Sequence, residues 1–322
     1  MYNNKYHNEK LSQYKFLITG GAGFIGSNLV EYLLKYGAKK VRILDNFSTG
    51  FHENINEFKS NPAFELIEGD IRDIEICNKA VDGMNYVSHQ AALGSVPRSI
   101  NDPITTNEVN ISGFLNMLNA VKNNRNVKRF VYAASSSTYG DSTELPKVED
   151  NIGKPLSPYA ITKYVNELYA DVFAKTYGLE SIGLRYFNVF GPKQRVTGAY
   201  AAVIPLFIKA VKEGEPGQIN GDGEQTRDFT FVENAVQGNI KAFFAKHEAG
   251  SSQVFNIAVG ERASLNKLWA LVNEIGNKNI SSVYKAPRVG DVRNSLADIS
   301  KAKQLLEYNP LFDLHEGLKL TY

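Results

Sequence analysis

The sequence predicts an α/β fold: a doubly wound parallel sheet with a smaller C-terminal α/β lobe. Three observations predict it. Short apolar runs alternate with helical stretches through the first two thirds of the chain, an order that gives parallel strands covered by helices on both faces. A cluster of glycines separates the first apolar run from the first helical stretch. After about Gly191 the alternation loosens, and Pro205, Pro216 and Pro287 cut the chain into shorter elements, as proline does by fixing φ and removing a donor.

Each element follows from its residues. KFLIT over 15–19 is an apolar run ending in glycines and reads as a buried strand. Residues 24–36 have helical spacing and stop at Gly37, a C-capping residue. Further strands are expected over 40–44, 64–67, 85–88, 129–133 and 181–186. Helices are expected over 105–122 and 159–177. The opening residues, MYNNKYHNEKLSQ, carry no apolar stretch and read as a polar extension or a short helix.

Composition narrows the function. The 322 residues carry 36 basic and 34 acidic side chains, a formal charge of +2, so binding to nucleic acid by bulk charge is not expected. The single cysteine, Cys77, allows no internal disulfide. With one cysteine and five histidines no metal site is expected. No run of about 18 apolar residues marks a membrane span, and the expected location is cytoplasmic.

The segment Gly20-Gly21-Ala22-Gly23-Phe24-Ile25-Gly26 lies where the first strand gives way to the first helix. Glycines spaced this way give a tight turn, close approach of backbone to a pyrophosphate, and close helix–strand packing. The helix N-terminus adds free N–H groups and a partial positive charge. This points to a Rossmann domain holding a dinucleotide. Asp45 ends the second strand, 22 residues after Gly23; an acid there bonds both ribose hydroxyls and repels a 2′-phosphate, which favours NAD over NADP. Asp70, after the third strand, can take the adenine amino group.

Tyr159 and Lys163 are four residues apart, on one side of a helix. A phenol titrates near 10, and a nearby ammonium stabilises the phenolate, so the pair makes a base for a sugar hydroxyl. Ser135 and Ser136 follow the fifth strand, where hydroxyls face the ligand crevice, with Ser135 24 residues before Tyr159.

These motifs together resemble the extended short-chain dehydrogenase/reductases, in the nucleotide-sugar 4-epimerase branch. The resemblance spans nearly the whole chain and adds Gln90-Ala91-Ala92, Arg185-Tyr186-Phe187-Asn188, Gly221-Asp222-Gly223 with Arg227-Asp228-Phe229, and Arg288-Val289-Gly290-Asp291. The stretch from Ala92 to Ser99 and the short loop from Ser135 to Gly140 are similar to bacterial epimerases acting on UDP-N-acetylhexosamines. The resemblance implies a polar extension over 1–14, an NAD-binding Rossmann domain over 15–190 with parts of 220–260 returning to it, and a mainly UDP-sugar-binding lobe over 191–322. It implies Tyr159 as the base, Lys163 as the group that holds the ribose and lowers the phenol's pKa, and Ser135 and Ser136 as assisting hydroxyls. NAD would be lined by Gly20, Gly23, Phe24, Ile25, Gly26, Asp45, Asn46, Phe47, Ser48, Thr49, Gly50, Asp70, Ile71, Gln90, Ala91, Ala92, Phe187 and Asn110. The UDP-sugar would meet Ser95, Ser135, Ser136, Tyr159, Asn188, Ala202, Val203, Asn220, Arg227, Arg288, Asp291 and Ser295. The guanidinium forks of Arg227 and Arg288 suit a diphosphate.

Ser295 falls where galactose-type relatives carry a bulky tyrosine, which leaves room for an N-acetyl group. The expected reaction is therefore UDP-GlcNAc/UDP-GalNAc interconversion through a 4-keto sugar, with NAD regenerated. A UDP-hexosaminuronate or UDP-glucose 4-epimerase is the alternative. A 4,6-dehydratase or decarboxylase would need an acidic residue just after the catalytic hydroxyl, where this chain has Ser136 and Ser137. A non-catalytic NAD-binding sensor would be expected to lose Tyr159 or Lys163. A homodimer pairing the 105–122 and 159–177 helices is expected from relatives.

Overall fold

The structure is a computed structural model that describes residues 1–195, 201–246, 250–287 and 292–322. Its strands, in chain order, are β1 (Lys15–Thr19), β2 (Lys40–Asp45), β3 (Phe64–Glu68), β4 (Tyr86–His89), β5 (Arg129–Ser135), β6 (Ser181–Tyr186), β7 (Val189–Phe190), β8 (Gly217–Asn220), β9 (Thr226–Arg227), β10 (Thr230–Phe231), β11 (Ser252–Ile257), β12 (Ala263–Ser264) and β13 (Ser282–Lys285). The α-helices are α1 (Phe24–Lys35), α2 (Ile74–Val81), α3 (Val96–Asn101), α4 (Pro103–Asn107), α5 (Gly113–Lys122), α6 (Pro158–Tyr177), α7 (Val203–Glu213), α8 (Val232–Phe244), α9 (Leu265–Ile275), α10 (Ser300–Leu306) and α11 (Leu314–Thr321).

Seven strands form one sheet in the order β11-β6-β5-β4-β1-β2-β3, and every pair is parallel. The inner strands are buried on both faces, so their apolar runs are nearly continuous, while the edge strands β3 and β11 are partly exposed. Alternation sends Phe16 and Ile18 of β1 to one face, with Leu29 and Leu33 of α1 and Ile240 of α8. It sends Leu17 to the other, with Phe114 and Leu118 of α5. The chain winds outward from β1 to β3 and then returns to β4, so β1 and β4 are neighbours from which connections leave in opposite directions. Ligand crevices form beyond the carboxyl ends of such a pair.

The C-terminal lobe has its own core of Phe190, Ile204, Phe207, Leu268 and Trp269. Its strands are short and pair two by two: β7 with β10, β8 with β13, β9 with β12. The helix expected over 105–122 is present as α4 and α5 joined by a π-turn over Glu108–Ser112. Among the described residues no helix is long and apolar enough to cross a membrane.

The N-terminal residues depart from expectation. A short 3-10 helix forms over Leu11–Gln13, one of the two readings expected, but in place of a polar extension Tyr2, Tyr6, His7 and Leu11 are buried. Tyrosine buries a large ring when its hydroxyl finds a partner, and here both hydroxyls do. Tyr2 Oη donates to Asn28 (2.6 Å) and Tyr6 Oη to Glu233 (2.7 Å). The Tyr6 ring stacks on Tyr32 of α1 at 5.4 Å.

Candidate active site

The glycine turn begins where β1 ends. Gly20 has φ +66°, and a Cβ there would lie 2.7 Å from the Ala91 amide nitrogen. A Cβ on Gly26 would lie 2.1 Å from the Gly20 carbonyl. Side chains are thus excluded where the turn, α1 and the loop after β4 converge. Gly23 caps α1 with no side-chain hydrogen bond, which leaves its first N–H groups turned toward the crevice. Asp45 closes the turn from β2: its carboxylate accepts from Ala22 N (2.9 Å) and Phe47 N (2.8 Å). Burial raises its pKa and these bonds lower it. Asp70 is held near 2, foremost by hydrogen bonds from Arg72, and also accepts from Asn46.

Opposite the turn stands α6. Ser157 caps it by accepting from Ala160 N, Pro158 opens its first turn, and Gly178 at φ +71° ends it. Tyr159 and Lys163 face the crevice from successive turns, with the Lys163 Nζ 5.9 Å from the Tyr159 ring centroid. Lys163 Nζ donates to the Ala133 carbonyl of β5 at 2.8 Å. Burial pulls its pKa down to about 8, and Glu167 one turn further raises it. Glu167 is itself locked in a buried two-pronged pair with Arg185 at 2.7 and 2.9 Å. Burial raises the Tyr159 phenol, and its hydrogen bond with Ser135 lowers it. The lowering of the phenol expected from Lys163 is therefore not seen in the chain alone, because the ammonium turns to a carbonyl.

A cleft of about 610 Å³ gathers most of the expected residues. It is lined by Gly20, Gly23, Phe24, Ile25, Gly26, Asp45, Asn46, Ser48, Thr49, Asp70, Ile71, Gln90, Ala91, Ala92, Ser95, Ser135, Tyr159, Lys163, Asn188 and Ala202. A second cleft of about 470 Å³ is lined by Asn188, Ala202, Val203, Asn220 and Arg227, among others. The two share Asn188, Val189, Gln194 and Ala202. Ser95 (φ +154°) and Asn188 (φ +34°) are non-glycine residues in left-handed backbone, the kind of strain that collects at ligand sites.

Other expected residues stand elsewhere. Phe187 is fully buried, 5.9 Å from the Tyr139 ring. Strand alternation presents its neighbour Tyr186 instead, whose hydroxyl accepts from Asn239 and Gln90. Phe47 stacks on His52 at 3.9 Å, and Gly50 packs against Ala22, where a Cβ would lie 2.9 Å away. Asn110 sits in the π-turn behind the cleft, bonded to both Leu93 backbone groups and to Thr162. Ser136 is absent from both linings, while Ser135 accepts from Ser137 N and Ser137 Oγ. Ser295 donates its N–H to Thr226 O, beside Arg227, and lines neither cleft. Arg288 and Asp291 lie outside the described residues. Tyr186, Val189 and Gln194 were not singled out: no spacing rule marks single residues at the end of β6, in the two-residue β7 or in the loop after it.

Comparisons with known proteins agree with this arrangement. The family described as NAD dependent epimerase/dehydratase matches residues 16–258. The UDP-glucose 4-epimerase of Thermotoga maritima, solved with UDP-glucose, is 38% identical with a TM-score of 0.88, covering 95% of this chain and 97% of that one. The UDP-N-acetylglucosamine 4-epimerase of Methanobrevibacter ruminantium M1, in complex with UDP-N-acetylmuramic acid, is 38% identical with a TM-score of 0.90, covering 96% of each chain. The UDP-glucuronic acid 4-epimerase of Bacillus cereus, with UDP-glucuronic acid and NAD, is 33% identical with a TM-score of 0.88, covering 96% of this chain and 98% of that one.

Proposed function

Because this chain belongs to the NAD dependent epimerase/dehydratase family, we propose that it inverts carbon 4 of a UDP-hexose and that the sugar is an N-acetylhexosamine. One observation carries the reading: Tyr159 and buried Lys163, one turn apart on α6, share a cleft with Ser135 and the glycine turn.

The glycine cradle fits a dinucleotide, since side chains are excluded where a pyrophosphate would approach. Gly20, Gly23 and Gly26 with the first amides of α1 would hold the pyrophosphate. Asp45 keeps lone pairs beyond its two backbone bonds and would take the adenosine ribose. Asp70 and Ile71 would meet the adenine, Gln90, Ala91 and Ala92 would flank the cofactor, and Lys163 would reach the second ribose. NAD, when bound, supplies an acceptor and donor for the hydrogen at carbon 4.

The chain's own residues handle the proton. Tyr159 Oη takes it from the 4-hydroxyl and returns it after inversion. Ser135 Oγ shares that hydrogen bond and steadies the oxygen. The Lys163 ammonium would offset the charge that Tyr159 carries as a phenolate before it takes the proton. Arg227 would grip the diphosphate, with Asn188, Ala202, Val203 and Asn220 along the second cleft and Arg288 and Asp291 from the neighbouring segment. A firm grip on UDP with few sugar contacts lets the 4-keto sugar turn over in place.

The three relatives above carry different sugars at similar identity, so the sugar has to be argued from single residues. Lys163 is the only cation among the described residues lining the larger cleft, and it already bonds Ala133, which favours an uncharged hexose over a uronate. Purified protein incubated with UDP-GalNAc should yield UDP-GlcNAc by NMR. Turnover of UDP-glucuronate or UDP-glucose alone would overturn the choice of sugar, and loss of water or carbon dioxide would overturn epimerisation.

Ser295 bears on the acetylated sugar only through the resemblance, being small where galactose-type relatives carry a bulky tyrosine; in this structure it lines neither cleft. Ser295→Tyr should lower the ratio of kcat/KM for UDP-GalNAc over UDP-galactose by about tenfold or more, the scale on which pocket size discriminates. An unchanged ratio would remove Ser295 from the argument.

The chain should also pair as a homodimer. Ile161, Leu168 and Val172 of α6 and Ile104 of α4 are exposed apolar side chains, a kind of patch that commonly marks an interface. Sedimentation at micromolar concentration should give a dimer; monomer alone would count against it.

A further inference from the structure

The loop after β7 is tied to the nucleotide half on three sides. The Pro192 carbonyl accepts from Asn28 Nδ2 at 3.1 Å. Lys193, at φ +71°, bridges Glu31 of α1 and Glu57, each at 2.9 Å. The Arg195 guanidinium lies 4.5 Å from the Phe51 ring centroid. Between these ties sits Gln194, which lines both clefts.

Asn28 is fully buried, and its amide is fully committed. Nδ2 also donates to the Phe24 carbonyl (2.9 Å) in the first turn of α1, and Oδ1 accepts from Tyr2 Oη (2.6 Å). Two carbonyls on the nitrogen fix the amide's orientation, so only a donor fits at its oxygen, and Tyr2 is that donor. Tyr2 is in turn anchored: its N–H donates to Glu233 Oε2 (3.0 Å) and its carbonyl accepts from Tyr36 Oη (3.0 Å). Tyr6 Oη takes the other oxygen of Glu233, a carboxylate 1% exposed. The N-terminal residues therefore complete a buried acid that would otherwise lack those partners.

We propose that residues 2–7 are a strap that, through Asn28, sets the stance of the 191–195 loop in the two clefts, so that Tyr2, Asn28 and Lys193 are positioning residues for the sugar nucleotide. The proposal rests on the UDP-hexose reading for its ligand, but the position of the loop can be read without turnover.

Tyr2→Phe removes one hydroxyl and keeps the ring. It should raise KM for UDP-GalNAc about three- to tenfold, the scale of one lost buried hydrogen bond, with kcat within about twofold of the parent. The amides of residues 193–195 should exchange with deuterium faster by a similar factor. Lys193→Met cuts the loop's other tie from a partly exposed position without touching the strap, and should shift KM the same way. The two changes should be less than additive, because they act on one loop. A lower Tm with KM or loop exchange unchanged in Tyr2→Phe would make the strap a stabilising element only and overturn the proposal. If the parent protein converts no UDP-hexose, the functional reading falls, and loop exchange alone then decides the strap.

Discussion

Tyr159→Phe should lower turnover of the UDP-hexose by about 10²–10⁴-fold, the contribution of a positioned acid–base group. The change deletes one oxygen and leaves the ring, α6 and the Lys163 bond to Ala133 in place. The contacts proposed for UDP lie along the second cleft, around Arg227, so binding of the sugar nucleotide should stay within about threefold by calorimetry, a loss of at most one ordinary hydrogen bond. A fall in kcat without a matching rise in Kd is the signature of a group that acts in the transition state. Turnover near the parent level would remove Tyr159 from the chemistry.

Lys163→Met should separate activity from stability. Lys163 is 3% exposed and its pKa is lowered to about 8 from 10.5. A base lowered on folding binds fewer protons in the native state. Its contribution to stability is thus present above 10.5, declines as pH falls toward 8, and below that remains a net burden. Methionine fills similar space with no charge to bury, so Tm at pH 7 should hold or rise while kcat falls about 10²-fold or more. The pH profile should move as well. The working form of the Tyr159–Lys163 pair holds one proton between two groups, so its apparent pKa values belong to the pair. In the parent, kcat/KM should climb with pH toward about 8, as the pair gives up the first of its two protons. In Lys163→Met the climb should shift upward past 10, because burial raises the remaining phenol. A lower Tm with activity kept, or an unmoved profile, would contradict the assignment.

Strands β1 to β6 were legible because most of them are apolar runs buried in the sheet; the edge strand β11, SQVFNI with mixed burial, was not. Runs such as Lys15–Thr19 and Ser181–Tyr186 stand out without any alternation. The glycine turn and the Tyr159–Lys163 pair were legible because turn geometry and helical spacing are local. Three further things were not. The opening residues look polar by letter, yet Tyr2 and Tyr6 bury rings whose hydroxyls are satisfied by Asn28 and Glu233, partners distant in sequence. Phe187 and Phe47 sit inside matching motifs, but which of two adjacent side chains faces the cleft depends on strand phase and turn geometry, and Tyr186 takes the cleft position beside Phe187. The two-residue strands β7, β9, β10 and β12 are too short to carry periodicity. They form because the chain around Asp228 is gathered by its carboxylate, which accepts from Val259, Gly260 and Ala297 N–H groups.

The cleft beside Tyr159 should invert carbon 4 while keeping its hydrogen away from water. UDP-GalNAc carrying deuterium at carbon 4, turned over in ordinary water, tests this directly by mass spectrometry and NMR of the product. The product should be UDP-GlcNAc with the deuterium still on carbon 4 and the mass of the labelled substrate. Washout of the label into solvent, or a product lighter by water or carbon dioxide, would contradict it.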